Sequence, residues 1–176
     1  MLYVLISLGA LIAIVLLAGL FMKKDYSLSS EVIIHTPQKE VFEYVKQLRN
    51  QEKYSKWVMA DPNVKLTYTG TDGTLGFRAA WDSADKNVGA GEQEITKILN
   101  GEGYDVEIRF ERPFKGISYA NTRVSSVSAE KSKVVNTFNT RTPFPMNIMV
   151  PLLKNMLQKD MDGNMQRLKN NLESKA

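Results

Sequence analysis

The chain has no cysteine and a single histidine in 176 residues. The first absence excludes disulfides, thiolate zinc sites and thiol nucleophiles, and it is compatible with a reducing compartment. The second leaves no imidazole cluster to hold a metal; the carboxylates show no ligand spacing either, so neither metal nor cofactor is expected. A glycine-rich phosphate loop is missing, because "GAGEQE" lies inside a strand pattern and does not open a helix. The polar runs "SSVS" and "TRT" have no nucleophile elbow around them. Lys and Arg exceed Asp and Glu by 23 to 19. No stretch interleaves clustered basic residues with aromatics, which argues against nucleic acid as a partner.

Charge is missing altogether from Leu2 to Met22, "LYVLISLGALIAIVLLAGLFM", ahead of Lys23 and Lys24. A helix of that length crosses the ~30 Å hydrocarbon core of a bilayer. A secretory signal peptide would instead place Lys or Arg before a shorter apolar run and end at a small-x-small site. The Leu-Ala-Gly at 17–19 continues into Leu20, not into the cysteine of a lipoprotein signal. Residues 1-24 are therefore expected to be an uncleaved transmembrane anchor with its basic flank, and residues 25-176 a single domain. The two lysines place that domain on the cytoplasmic side, since basic flanks tend to stay there. A sequence pI of about 9.2 suits a domain held against anionic headgroups.

After the anchor the pattern is strand, short helices, strands, long helix. "SLSSEVIIH" alternates as a first strand. "HTPQKEVFEYVKQL" predicts a helix with Thr36 as N-cap, Pro37 at the first helical position, and Val41, Tyr44, Val45 and Leu48 as its buried stripe. "RNQEKYSKW" predicts a further helical turn anchored by Tyr54 and Trp57. From Asn63 to Arg141, six short alternating runs are separated by turn-forming strings such as "GTDG", "DSADKN" and "NGEG", which predicts an antiparallel meander. Then Met146, Val150, Leu153, Leu157, Met161, Met165, Leu168 and Leu172 recur at three- and four-residue steps, the mark of one amphipathic helix. A sheet in this order must curl around the last helix to bury both apolar faces, and such a sheet easily leaves a cavity. The fold class is thus α+β, a curled antiparallel sheet around a long C-terminal helix, preceded by an N-terminal transmembrane helix.

That layout resembles the helix-grip fold of the START and Bet v 1-like (SRPBCC) superfamily. The strings "TPQKEVFEYV", "NQEKYSKWVMADP", "GTLGFRAAWDSADKNVGAGEQEI", "RFERPF" and "TPFPMNIM" followed by "MDGNMQRLKNNLE" are similar to its membrane-anchored bacterial members, the polyketide cyclase/dehydrase-like proteins. The resemblance covers nearly all of the chain after Ser27. It implies a bacterial inner membrane protein and a family in which lipids, sterols, quinones or hormones are bound, polyketides cyclised, or chaperones docked. It carries over no catalytic residue, and fold alone does not choose among these activities.

Candidate residues come from alternation. "LGFRAAWD" puts Phe77, Ala79 and Trp81 on one face, expected to be concave, and Arg78 on the other, across from Glu92 if the turn centres near Asp85. Arg78 and Glu92 then form an exposed ion pair or, with the sheet inverted, a polar clamp. Glu92 and Glu94 project from one side, and paired carboxylates can divide acid and base roles. His35 closes the first strand and is either a general base or a local hydrogen-bond donor. Glu92, Arg78 and His35 are the catalytic candidates. The expected ligand lining is Phe77, Trp81, Gln93, Ile95, Tyr104, Val106, Ile108, Phe110, Tyr119 and Phe138, with Trp57 at the mouth and Met149, Leu153, Met156 and Leu157 from the last helix. The alternative is that these residues fill a solid core.

The leading functional expectation is a membrane-tethered domain that binds a hydrophobic small molecule, lipid, isoprenoid or quinone-like, between sheet and C-terminal helix. A polyketide cyclase/hydratase-like enzyme is the second reading. A protein-interaction module with a solid core is the third.

Overall fold

The computed structural model describes residues 1–174, without the side chain of Leu2; the last two residues of the expected 25-176 domain lie outside the described residues. The uncharged run forms helix α1, Leu2–Phe21. Every described residue of it except Gly19 is exposed, and it is long and apolar enough to cross a membrane. After Met22, Lys23 and Lys24 the chain enters β1, Asp25–Ile34. Helix α2, Gln38–Val45, comes next, and then a 3-10 turn at Leu48–Lys53.

Helix α2 begins one residue later than the pattern of Thr36 and Pro37 suggests. Pro37 is itself the N-cap, with φ −57° and ψ 146°, so its ψ is extended and it cannot be the first helical residue. The expected cap oxygen, Thr36 Oγ1, is buried without a hydrogen-bond partner. The buried face contains Val41, Phe42 and Val45, while Tyr44 is only half-buried.

The meander forms β2, Lys65–Thr69; β3, Arg78–Asp82; β4, Ala90–Leu99; β5, Gly103–Arg112; β6, Gly116–Ser128; and β7, Lys131–Arg141. One seven-stranded sheet results, in the order β1-β7-β6-β5-β4-β3-β2, and all of its pairs are antiparallel. The first strand pairs with the last, so only the β1–β7 contact is non-local.

The β3–β4 register departs from the expected one. Arg78 faces Glu94, and Glu92 faces Ala80. The loop after Asp82 is closed by a hydrogen bond from Ser83 N to Gly89 O at 2.9 Å, with Gly89 at φ +65°. That centres the turn one residue beyond Asp85, and a one-residue shift of a hairpin centre moves each partner by two. The face on which each residue lies is unchanged.

Helix α3, Val150–Glu173, crosses the concave side and buries Met161, Asn164, Met165, Leu168 and Leu172. Its C-terminal end is pinned where β1 meets α2. The His35 backbone N–H donates to Glu173 Oε1 at 2.7 Å and His35 Nδ1 lies 2.8 Å from the same oxygen. The backbone N–H of His35, followed by its ring and Lys169, holds the Glu173 carboxyl below its ordinary range. The other end of α3 has no such support: Pro151 to Met156 are all exposed. The core lies between sheet, α2 and the C-terminal half of α3, around Ile34, Val41, Leu48, Phe77, Ile95 and Leu168.

Candidate ligand cavity

Alternation on four neighbouring strands brings one row of side chains to the concave face: Gln93 from β4, Tyr104, Val106 and Ile108 from β5, Ala120 and Thr122 from β6, and Asn136 and Phe138 from β7. The roof comes from Gln51, Tyr54, Ser55 and Trp57, and from Asn164, Met165 and Leu168 of α3. Between them is a cavity of about 90 Å³. Trp57 is half-exposed, and its ring lies 6.3 Å from that of Phe138, so these two aromatics form the mouth.

The lining is amphipathic. Gln93 Nε2 donates to Gln51 Oε1 at 2.8 Å, and Asn136 Nδ2 donates to Thr122 Oγ1 at 3.0 Å. Tyr104 lines the cavity beside Tyr54, Thr122 and Gln51. Polar groups therefore lie on both floor and roof, and Val106, Ile108, Ala120, Phe138 and Met165 complete the apolar part of the lining. Burial raises the hydroxyl pKa of Tyr104, and burial together with the neighbouring Tyr104 raises that of Tyr54 further. Both remain neutral hydroxyl donors at physiological pH. Among the described residues no carboxylate, imidazole or amine lines the cavity.

Asn164 has a structural task at the same place. Its Oδ1 accepts from Lys56 N at 2.8 Å and Arg167 Nη2 at 2.6 Å, and Arg167 Nε donates to Tyr54 O at 2.9 Å. These bonds lock the roof turn to α3.

Of the residues nominated from sequence, the structure brings Trp57, Gln93, Tyr104, Val106, Ile108 and Phe138 together around this cavity. It places the others elsewhere. Phe77 and Ile95 are in the solid core, with Phe77 stacked on Tyr68 at 6.0 Å. Trp81 lies over Gly91, where an added Cβ would come within 2.6 Å of the indole, and meets Phe110 edge-on at 5.8 Å; this pair packs at the end of the sheet. Tyr119 alternates with Ala120 and so points outward, exposed. Met149, before α3, and Leu153 and Met156 in its first turns are exposed, and Leu157 is only half-buried.

The catalytic candidates also lie outside the cavity. Glu92 and Glu94 share the convex face with Glu107, all three around Arg109. Those carboxylates push the Arg109 guanidinium pKa above its already high value. Arg78 is exposed at the start of β3, and His35 is held by Glu173. Sequence reasoning missed Gln51, Tyr54, Thr122, Asn136 and Asn164. The available signal was a polar residue on a core-facing register, such as Asn136 two residues from both Val134 and Phe138. A larger groove outside α2, about 500 Å³, is open to solvent. Its Gln38 amide already donates to Gly101 O and Val124 O at 2.8 and 3.1 Å.

A curled antiparallel sheet closed by one long C-terminal helix, with a cavity between them, is the helix-grip fold of the Bet v 1-like superfamily. The chain belongs to the family described as polyketide cyclase / dehydrase and lipid transport, which matches residues 26–173. Similar solved structures include norcoclaurine synthase from Thalictrum flavum in complex with dopamine and hydroxybenzaldehyde, at 12% identity and TM-score 0.62 over 86% of this chain and 89% of that one. Hypothetical protein jhp0584 from Helicobacter pylori aligns at 15% identity and TM-score 0.62, over 85% of this chain and 88% of that one. Ara h 8.0201 aligns at 14% identity and TM-score 0.55, over 85% and 99%. At these identities the likeness is one of fold. A comparison with curated protein sequences finds no match.

Proposed function

We propose that this protein is a membrane-tethered binding domain for a hydrophobic small molecule with one polar end, of lipid, isoprenoid or quinone-like character. The observation that carries the reading is the amphipathic cavity with no carboxylate, imidazole or amine among the described residues of its wall. Gln51, Gln93 and Tyr104 offer neutral hydrogen bonds to a carbonyl or hydroxyl, while Ile108, Phe138 and Trp57 continue as an apolar path to the mouth. The family description names lipid transport, and a neighbour of the same fold binds aromatic molecules; both support the reading.

The cavity volume sets a condition. About 90 Å³ is well below the ~300–1,000 Å³ that pockets for drug-sized ligands occupy. The closed form holds a ligand's polar end, and the remainder requires Trp57 and Phe138 to separate. The full chain, purified in mild detergent, is expected to carry a lipophilic molecule in native mass spectrometry, or to be stabilised by members of a quinone, isoprenoid and lipid panel. An empty protein with no thermal shift across that panel removes the reading. The cyclase reading has less support, since none of Glu92, Arg78 and His35 borders the cavity.

Tethering through residues 1-24 raises the local concentration of any bilayer-borne ligand. Lys23 and Lys24 favour a cytoplasmic domain at a bacterial inner membrane. A C-terminal green fluorescent protein fusion is expected to fluoresce in bacterial cells; a dark fusion with an active alkaline phosphatase counterpart reverses the sidedness.

A further inference from the structure

Most of the exposed large apolar residues of the domain gather at one end of it. Strand register defines that end: the start of β1 lies beside the end of β7, the start of β6 beside the end of β5, and the start of β4 between the ends of β3 and β5. Helix α1 joins the domain there. Phe114 in the β5–β6 turn and Ile117 at the start of β6 are exposed at this end. So are Phe144, Met146 and Met149, which lead from β7 into α3, and Leu152, 70% exposed, and Met156 in its first turns. At the opposite end Ile33, Leu75 and Val127 are exposed singly.

The same segment grips α1. Asn147 is fully buried, and its Nδ2 donates to the carbonyls of Gly19 at 2.7 Å and Met22 at 3.3 Å, at the C-terminal end of the helix. Ile148 lies so close that an added Cβ on Gly19 would come within 2.6 Å of it. A third bond, from Thr142 N to Lys24 O at 2.8 Å, fastens the linker. The last turn of α1 is therefore fixed against the residues that carry the apolar surface, and that surface is continuous with the apolar helix. Lys23, Lys24, Lys115 and Lys154 belong to the same end of the domain.

We infer that this end of the domain rests on the lipid surface of the bilayer that α1 enters. The segment from Met146 to Met156 and the Phe114 turn reach the headgroup region and the lysines meet anionic lipid. The inference rests on α1 being a membrane span. It also deepens the functional reading, because the Trp57–Phe138 mouth then opens toward lipid.

The absence of cysteine makes the test direct. Single variants Leu11→Cys, Leu152→Cys, Phe114→Cys and Leu75→Cys of the full chain carry a fluorophore. They are reconstituted in phosphatidylcholine–phosphatidylglycerol vesicles containing nitroxide lipids labelled near the headgroup or deep in the acyl chain. The expected pattern is loss of most emission at Leu11 with the deep nitroxide and at Leu152 and Phe114 with the shallow one, with Leu75 unaffected. Quenching at Leu11 alone means that the domain stands away from the surface and overturns the inference while leaving the span intact. No quenching at Leu11 removes the span, and the docking with it. Shielding of Leu152 and Phe114 from aqueous iodide without lipid quenching assigns the surface to a second copy of the chain or another protein, which also overturns it.

Discussion

Replacing Ala120 by phenylalanine is expected to cut the amount of copurifying lipophile, and the affinity for any panel ligand, by about tenfold or more, equivalent to ~1.4 kcal/mol. Ala120 is on β6 with its side chain on the cavity wall, across from Val106 on one side and Phe138 on the other. A phenyl ring there occupies the space a ligand needs. Overfilling of this kind costs ~1–3 kcal/mol of stability, so the protein remains folded in circular dichroism and keeps a cooperative melt. The variant thus separates binding from folding. Unchanged ligand content in a folded A120F protein would mean that the cavity between sheet and α3 is not the site.

The Phe77→Ala variant should behave in the opposite way. Phe77 is 1% exposed and stacks on Tyr68. Tyr68 in turn donates a hydrogen bond to Glu52 and has the Arg49 guanidinium over its ring at 4.3 Å. Truncating a buried aromatic costs ~3–5 kcal/mol. For a domain of about 150 residues that lowers the melting temperature by roughly 6–20 °C, taking ~2–4 °C per kcal/mol. Ligand content in the protein that still folds should be unchanged. A shift below a few degrees accompanied by altered ligand binding would return Phe77 to the cavity wall, where its strand pattern alone puts it.

That contrast marks the boundary of what periodicity can tell. Alternation in "LGFRAAWD" reports correctly that Phe77, Ala79 and Trp81 share a face, but a concave face contains both solid core and cavity. Which of them Phe77 meets depends on Tyr68 of the neighbouring strand and on Leu48 and the roof turn, both farther away in sequence. Similarly, the three- and four-residue spacing of α3 runs unbroken from Met146 to Leu172, so pattern alone extends the buried stripe along the whole helix. The N-terminal turns of α3 are not packed into the core, and Met149, Leu153 and Met156 are left exposed. The order of elements was readable because each carries its own period and its own turn residues. The polar part of the lining was not, since Gln51, Thr122 and Asn136 look like ordinary surface residues until two strands and a turn bring them together.

The position of β1 also bears on how the protein is made. As an edge strand its only sheet partner is β7, and Asp25 pairs with Arg141. Nothing synthesised before Lys131 can complete its ladder. A ribosome therefore has to release about three quarters of the chain while β1 waits beside α1 with both edges unpaired, a state prone to pairing with other chains. Closing so long a loop is slow, because its entropy is lost before the pairing offsets it. Were α1 inserted in a bilayer as proposed, β1 would be held a few residues from it, which would restrict where that waiting strand can go and favour correct folding as well as location.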